Sequence, residues 1–465
     1  MAKFRFPTNK EFNKIRWFLK DRFNYLLPDF LKLLIKIKGG DRKFFRIYSF
    51  SEKIIPKMRF ENIGLFMGTW ERNAFRVSLE AAEIIGKNAT KNFINLSLKE
   101  AEDWLRGKNL QKNVAQGSYL IKYKNRFLGG GYSDGKQIIN YLPKIFNIRL
   151  TPSKTRPKNH FQQKENKKIN INNQEFIAYH QSLTGLNFNL FIQELSHPHK
   201  ESIRVNPLKT LVEKLLQELP DLKLKPIPWS PYGYWVENEN CCLSNNLNYI
   251  LGDYYIQEAS SMAAVVALDP RPGEKILDLC AAPGSKTTQI GEYLKQRGFI
   301  IANDLNSKRT EILTSNIQRH GLMNVIVTNM DGRFFNKCGM KFDKVLVDAP
   351  CSAVGKDAAS IHKWSRSVVL RLSKLQKELI VSGFQSLTKG GVMVYSTCTT
   401  PLEENEEVVE YLLNKYRGEA LLEKISISGL NFIPGLTSAT RNAIRIFPYH
   451  NHTDSFFIAL IKKLK

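Results

Sequence analysis

Long apolar runs are missing from this 465-residue chain. The most apolar early stretch, Leu26 to Ile37, is broken by Asp29, Lys32 and Lys36, which excludes a bilayer-spanning helix of about 20 residues. The N-terminus alternates charge with aromatics from Met1-Ala2-Lys3-Phe4-Arg5 onward and lacks the apolar core of a signal peptide. Cysteine is scarce. Six are too few for a disulfide scaffold in a chain of this length, and adjacent Cys241-Cys242 are poorly spaced for a shared zinc ion or an easy disulfide. A reducing cytoplasm, no membrane and no metal site are therefore expected. Acidic residues are also short, 43 against 69 Lys and Arg, and the net charge of +26 favours a polyanionic partner through counterion release. A bias toward lysine, asparagine and isoleucine would add positive charge everywhere, so charge alone only nominates nucleic acid. No repeat of 20–50 residues and no heptad array is evident.

What is present is an ordinary globular composition, 43% apolar, enough for two or three domains. Residues 1–62 read as a helical or mixed unit in which Phe12, Ile15, Phe18, Leu19 and Phe23 form an apolar helical stripe. From 63 to 150 a compact α+β module is expected. Its helix is opened by the capping box Ser97-Leu98-Lys99-Glu100 and runs through Trp104 and Leu105, followed by strands at 118–124, 127–132 and 136–142. Residues 151–175 are basic, asparagine-rich and poor in apolar side chains, a linker composition. A second small α+β unit spans 176–253, with a strand at Ile203-Arg204-Val205 and a helix from Leu208 to Leu219.

From 254 to 465 strands and helices alternate. Strands are expected at Lys275–Leu279, Phe299–Asp304, Val325–Asn329, Lys344–Val347 and Val392–Tyr395. Helices fall at Lys286–Arg297, Ser307–His320, Val368–Leu387 and Pro401–Tyr416. This pattern implies α/β architecture, a doubly wound parallel sheet of Rossmann type. Ala443–Pro448 and Ser455–Ile461 read as a closing hairpin.

Two cysteines follow strands in this half, Cys351 after Asp348-Ala349-Pro350 and Cys398 after Ser396-Thr397. The carboxyl ends of strands form the ligand crevice in such sheets, so both thiols are expected at one edge. Thr400-Pro401-Leu402-Glu403 beside Cys398 has a capping threonine followed by proline and glutamate, the pattern of a helix start. The first strand runs into Asp278-Leu279-Cys280-Ala281-Ala282-Pro283-Gly284-Ser285-Lys286-Thr287. This small-residue turn lets backbone approach a ligand and offers helix N-terminal amides. It lacks the first glycine of a Walker loop. Asp304, at the end of the second strand, is placed to accept hydrogen bonds from a ribose, and Asp331, after the third, to reach an adenine amino group. The alternative for each aspartate is a cap or turn.

The ordered set of Asp278 to Thr288, Asp304 with Arg309, Asp331-Gly332, Asp348-Ala349-Pro350-Cys351-Ser352 and Tyr395-Ser396-Thr397-Cys398-Thr399 with Pro401, Glu404, Asn405 and Glu406 resembles the motifs of the Nol/Nop/Sun family of RNA cytosine-C5 methyltransferases. Tyr255 to Ser261 is similar to the segment preceding that family's catalytic domain. The resemblance implies S-adenosylmethionine as methyl donor, held by Cys280, Ala281, Ala282, Pro283, Gly284, Ser285 and Lys286 with Asp304, Arg309, Asp331 and Asp348. It implies Cys398 as nucleophile and Cys351 as the cysteine of product release, with structured RNA, ribosomal or transfer, as partner.

The chemistry makes the assignment intelligible. Carbon 5 of cytosine is too weak a nucleophile to take a methyl group, so a thiolate adds at carbon 6 and pushes electron density to carbon 5. Asp348 near ring nitrogen 3 would stabilise that adduct. One departure stands out: Ala353-Val354 follow Ser352 where the family commonly has glycine and a small or acidic residue. Residues 63–150 resemble PUA-like RNA-binding domains, and 176–253 the RNA-recognition-like unit of the same family. Trp364 and Tyr395 are candidates for stacking on a flipped base, or for core packing. The competing readings are a DNA cytosine-C5 methyltransferase, disfavoured by Thr397-Cys398, and an RNA-binding ribosome-assembly factor with dispensable catalysis.

Overall fold

The computed structural model describes residues 3–37, 43–51, 60–71, 74–142, 173–197, 200–237, 243–356, 358–362 and 364–465. The basic linker, apart from 173–175, and Cys241-Cys242 lie outside the described residues.

The C-terminal alternation forms the expected sheet. Parallel strands Val325–Thr328, Phe299–Asn303, Lys275–Asp278, Phe342–Asp348 and Leu387–Thr397 lie side by side in that order, and antiparallel Phe456–Lys463 follows Leu387–Thr397. Ile444–Ile446 pairs with Phe456–Lys463, closing the hairpin expected at the tail. The strands are apolar on both faces because both are covered. Ile276, Ile300, Val327, Leu346 and Val394 pack on one side with Ala263, Ile290 and Leu313. Leu277, Ile301, Ile326, Val345, Val347 and Met393 pack on the other with Leu379, Ile380, Phe384 and Val408. Each fully buried Val, Leu or Ile contributes about 1.5–3 kcal/mol, and the period-two alternation sets the register. The result is a Rossmann-like sheet with helices Ser285–Leu294, Ser307–Arg319, Arg366–Gln385 and Glu406–Lys415 around it.

One helix start differs from expectation. Residues Leu402–Glu404 form a single 3-10 turn, and the α-helix begins at Glu406. Thr400 does not cap it, because its hydroxyl meets His180 Nε2 at 2.8 Å and its carbonyl accepts from Arg445 Nη1 at 2.7 Å.

N-terminal to this sheet, the helix Asn9–Phe23 buries Ile15, Phe18, Leu19 and Phe23 and is opened by a Thr8/Glu11 capping box. The antiparallel sheet carrying it comprises Lys3–Arg5, Lys32–Ile37, Lys43–Tyr48, Leu65–Glu71 and Ala74–Val77. That sheet crosses the expected break at residue 62, since its ladder partners, such as Arg46 and Phe66, are distant in sequence. Between its strands, Asn62–Ile63 pairs antiparallel with Ile326 and Val327 and covers the outer edge of the C-terminal parallel sheet. The next sheet holds Phe93–Asn95, Gly117–Tyr123, Arg126–Ser133 and Ile138–Asn140. Helix Leu98–Leu105 has the expected Ser97/Glu100 capping box, and Trp104 Nε1 donates to the Leu128 carbonyl at 2.7 Å.

In the unit expected over 176–253, strands Leu224–Pro226, Gly233–Val236 and Ser202–Val205 form a sheet that takes Tyr254–Ile256 as its next strand, so its ladder runs past the expected boundary. Helices Gln174–Ser182 and Phe188–Leu195 pack instead on Val354, Ile361, Trp364 and Val369 of the C-terminal half. Buried ion pairs tie the units together. Arg126 forks onto Asp253 at 2.6 and 2.8 Å, and Arg204 Nε meets Glu292 at 2.7 Å with both side chains fully buried. Among the described residues no helix is long and apolar enough to cross a membrane, and no cluster of His, Cys, Asp or Glu could hold a metal ion.

Candidate active site

The cavity at the carboxyl edge of the catalytic sheet has a volume of about 920 Å³. Cys280, Ala282, Pro283, Ser285, Lys286, Asp304, Arg309, Asp331, Asp348, Cys351 and Cys398 all line it. Of the residues singled out in the sequence, Ala281 and Gly284 do not. They build the turn: Ala281 N donates to the Asn303 carbonyl at 2.7 Å, and Gly284 N to the Ala281 carbonyl at 2.8 Å. Gly284 has φ of 106°, a conformation that favours glycine, and it starts the helix without a side-chain cap.

The two thiols meet because their strands are neighbours. Asp348 is paired in register with Ser396, so the loops carrying Cys351 and Cys398 leave the sheet at the same level. Their sulfurs are 3.3 Å apart. A polar clamp holds the loops together: Thr399 Oγ1 lies 2.8 Å from Ser352 Oγ and accepts from Val354 N at 3.0 Å. Glu404 accepts from Ser352 N at 3.0 Å, from the Ser352 hydroxyl, and from Gln376 Nε2 at 2.8 Å. Asn405 Nδ2 donates to the Thr399 carbonyl at 2.9 Å. The buried Arg445–Glu406 pair anchors the same segment through Arg445 Nη1 and the Thr400 carbonyl.

Asp348 is held by two donors. Ser396 Oγ donates to Oδ1 at 2.8 Å and Lys286 Nζ to Oδ2 at 2.8 Å. Burial works against the Lys286 ammonium, but Asp348 outweighs it and Cys398 acts in the same direction, so its pKa stands above the ordinary lysine value. The Cys351 thiol is raised well above the usual range by its hydrogen bond with Cys398 and by burial. Cys280 is raised by burial and by the aspartates around it, and it packs against the core, as befits a structural thiol.

Asp304 accepts from Ala282 N at 3.2 Å and Asn306 N at 2.9 Å, while Arg309 lies 3.4 Å from it and donates to the Ala282 carbonyl. Asp331 is gripped by Arg333 at 2.7 Å, which keeps its carboxyl below the ordinary range. Ser285 lines the cavity, and its buried Oγ has no hydrogen-bond partner in the protein. That orphan, at a helix start rich in free amides, suits a ligand bearing a carboxylate.

Several lining residues carried no site signal in the sequence. Leu375 and Leu379 look like an ordinary helix core stripe, and Asp454 and Phe456 arrive from the tail by antiparallel pairing. Gln257 and Glu258 could have been found, since Tyr255 to Ser261 already stood out. Trp364 and Tyr395 are not stacking platforms. Trp364 packs against Phe176, Tyr179 and His180, and Tyr395 is fully buried with its hydroxyl on the Glu404 carbonyl at 2.6 Å. The departure at Ala353-Val354 has a structural place: Ala353 takes φ of 56°, and Val354 is buried beneath the helices at 174–195.

Comparison with known proteins agrees with this geometry. Residues 265–462 match the 16S rRNA methyltransferase RsmB/F family, 173–259 the N-terminal domain of 16S rRNA methyltransferase RsmF, and 91–146 the RsmF PUA domain. A tRNA (cytosine(49)-C(5))-methyltransferase of Pyrococcus abyssi is 42% identical over 281 residues, 58% of this chain and 90% of that protein. Ribosomal RNA small subunit methyltransferase F of Cronobacter sakazakii is 39% identical over 292 residues, and the chain spans only 60% of its length. Among solved structures, a methyltransferase homolog from Pyrococcus horikoshii is 32% identical with a TM-score of 0.57, covering 62% of this chain and 95% of that one. NSun6 from Pyrococcus horikoshii with SFG is 27% identical with a TM-score of 0.57, covering 63% and 98%. A Rossmann-like sheet, two cysteines at its edge and a 42% identical relative matched over 90% of its length lead to one conclusion: the chain belongs to the RsmB/F (Nol/Nop/Sun) family of RNA cytosine-C5 methyltransferases.

Proposed function

We propose that the protein methylates carbon 5 of a cytosine in structured ribosomal or transfer RNA, using S-adenosylmethionine and a covalent bond between Cys398 and carbon 6 of the base. The observation that carries this reading is the pair of sulfurs 3.3 Å apart, beside Asp348 in a single cavity. S-adenosylmethionine, when bound, supplies the methyl group. The turn Cys280 to Lys286 with Asp304, Arg309 and Asp331 would hold it, a reading supported by the Ser285 orphan and by the relative determined with SFG, a cofactor analogue.

The chain's own groups do the rest. Cys398 Sγ adds to carbon 6, and a proton shared between Asp348 and ring nitrogen 3 offsets the charge that reaches the ring. Lys286, paired with Asp348, lines the same cavity as Cys398 and keeps its positive charge there. After transfer, a water molecule in the cavity acts as base and takes the carbon 5 proton, the electrons of that C–H bond restore the carbon 5–carbon 6 double bond, and the Cys398 sulfur leaves carbon 6 as thiolate. Cys351, kept protonated by its environment, is the residue placed against the departing sulfur.

The test uses three variants with ribosomal and transfer RNA as substrates. Cys398→Ala should lose methylation and retain cofactor binding. Cys351→Ala should accumulate a denaturant-resistant protein–RNA species that the Cys351→Ala, Cys398→Ala double variant lacks. An adduct in Cys398→Ala but not in Cys351→Ala would reverse the two roles and reject the assignment.

A further inference from the structure

Away from the catalytic cavity, a second cleft of about 350 Å³ opens on the N-terminal sheet, lined by Lys10, Lys14, Lys43, Glu11, Phe45 and Trp70 among others. Its one carboxylate is already taken. Glu11 binds Arg5 at 2.6 Å and Lys43 at 2.8 Å. Lys10 and Lys14 have no carboxylate partner among the described residues, and the Lys14 ammonium sits 4.1 Å from the Trp70 ring centroid. Lys10, Lys14 and Trp17 occupy positions i, i+4 and i+7 of the helix Asn9–Phe23, hence one face. The Trp17 indole is 67% exposed. A single exposed aromatic needs no explanation, but this one lies outside the cleft lining on the same helix face as two ammoniums that lack a carboxylate, stand one helical turn apart and line the cleft with Phe45 and Trp70. The surroundings are strongly basic: residues 1–77 carry 18 Lys and Arg against 7 Asp and Glu. The family matches begin only at residue 91.

We propose that this cleft binds unpaired ribonucleotides of an RNA strand, with Lys10 and Lys14 on neighbouring phosphates and a base stacked on Trp17. Ammoniums tracking the backbone with an aromatic platform for bases is the physical recipe for single-stranded nucleic acid. An acidic peptide would use the lysines and leave the indole idle. The inference rests on the catalytic reading only for the choice of RNA.

The test uses the full chain and a fluorescent, unstructured oligoribonucleotide of about 12 nucleotides, titrated at several salt concentrations. Lys10→Gln with Lys14→Gln should flatten the slope of log affinity against log salt by about 1.4, roughly 0.7 for each single-strand phosphate no longer neutralised. Trp17→Ala should weaken binding about tenfold and Trp17→Phe far less, because a phenyl ring still stacks. An unchanged salt slope in the lysine variant, with methylation of RNA by the wild-type chain intact, overturns the cleft and leaves the catalytic reading standing. A poly-glutamate peptide that competes equally well, together with indifference to Trp17→Ala, overturns the nucleotide assignment in favour of an acidic protein segment. A lysine-dependent slope in a chain that methylates no RNA supports the cleft while rejecting the catalytic reading.

Discussion

Cys351 and Cys398 hold their sulfurs 3.3 Å apart across 47 residues of chain. The strand register brings the two loops to one level, and the Ser352–Thr399–Glu404 clamp sets the remaining distance. Glu404 is buried, which raises its carboxyl pKa, while the Ser352 and Gln376 donors act against that rise.

Glu404→Gln should therefore disturb chemistry more than binding. The amide would present donors where Ser352 and Gln376 already donate, leaving at least one buried donor unpaired, at a cost of about 1–3 kcal/mol. The expected outcome is a lower kcat with little change in the KM for RNA, and a matching loss in denaturant unfolding. An unaltered kcat would mean the clamp does not govern the thiol geometry.

Arg204 and Glu292 form a fully buried pair that joins strand Ser202–Val205 to the helix Ser285–Leu294. Arg204 also donates to Thr288 at 2.8 Å and to the Ser285 carbonyl at 3.0 Å. Arg204→Ala should destabilise the protein by about 3–5 kcal/mol, because an uncompensated carboxylate remains in the core. Arg204→Met with Glu292→Gln should recover much of that loss. Urea unfolding of both variants checks the difference, and equal losses would contradict a charge-pair origin.

Asp278 is buried beneath the Cys280–Lys286 turn, with Thr287 Oγ1 donating to one oxygen at 2.6 Å and the other oxygen without a partner in the protein. Burial pushes its pKa up to about 7, against roughly 3.9 in an unfolded chain. Between those values the folded state binds the extra proton, so this group's contribution to stability is full below about pH 4 and is lost as pH rises toward 7. Asp278→Asn should remove that component: the difference in unfolding free energy between variant and wild type should shift in the variant's favour from pH 4 to 7 and level off above. A constant difference across that range would show that Asp278 does not titrate there.

Removing residues 1–142 should do more than weaken RNA binding. Asn62–Ile63 covers the edge strand Val325–Thr328, and Arg126 neutralises buried Asp253. The truncated chain should expose an unpaired sheet edge and a buried carboxylate, lowering its thermal midpoint and promoting aggregation. Differential scanning and light scattering of the two chains measure this, and a truncated chain as stable as the full one would mean that these interactions contribute little.

The catalytic half was readable residue by residue. Its strands are buried on both faces and so appear as short apolar runs, while its site residues sit at strand ends, where local punctuation marks them. Cys351 and Cys398 could thus be placed at the crevice from their positions at strand ends, while Asp348 entered as a site residue through the family resemblance. The N-terminal half was less legible. Its antiparallel ladders join segments such as 43–48 and 65–71, and an expected break at 62 has no local signature to correct it. The false helix start at Pro401 has the same origin: Thr400 and Glu403 match a capping pattern, but His180, Tyr179 and Arg366 from elsewhere in the chain claim their side chains.

The amino-acid sequence by itself determined the α/β alternation, the strand-end motifs and the placing of two cysteines at one sheet edge, because hydrophobic periodicity and turn chemistry are local. Only the tertiary structure decided that Lys286 and Ser396 share Asp348, that Trp364 and Tyr395 are core, and that a clamp from separate segments brings two sulfurs together. Those outcomes depend on which buried polar groups find partners across long stretches of chain, and the cost of leaving any of them unpaired is settled only once the sheet has closed.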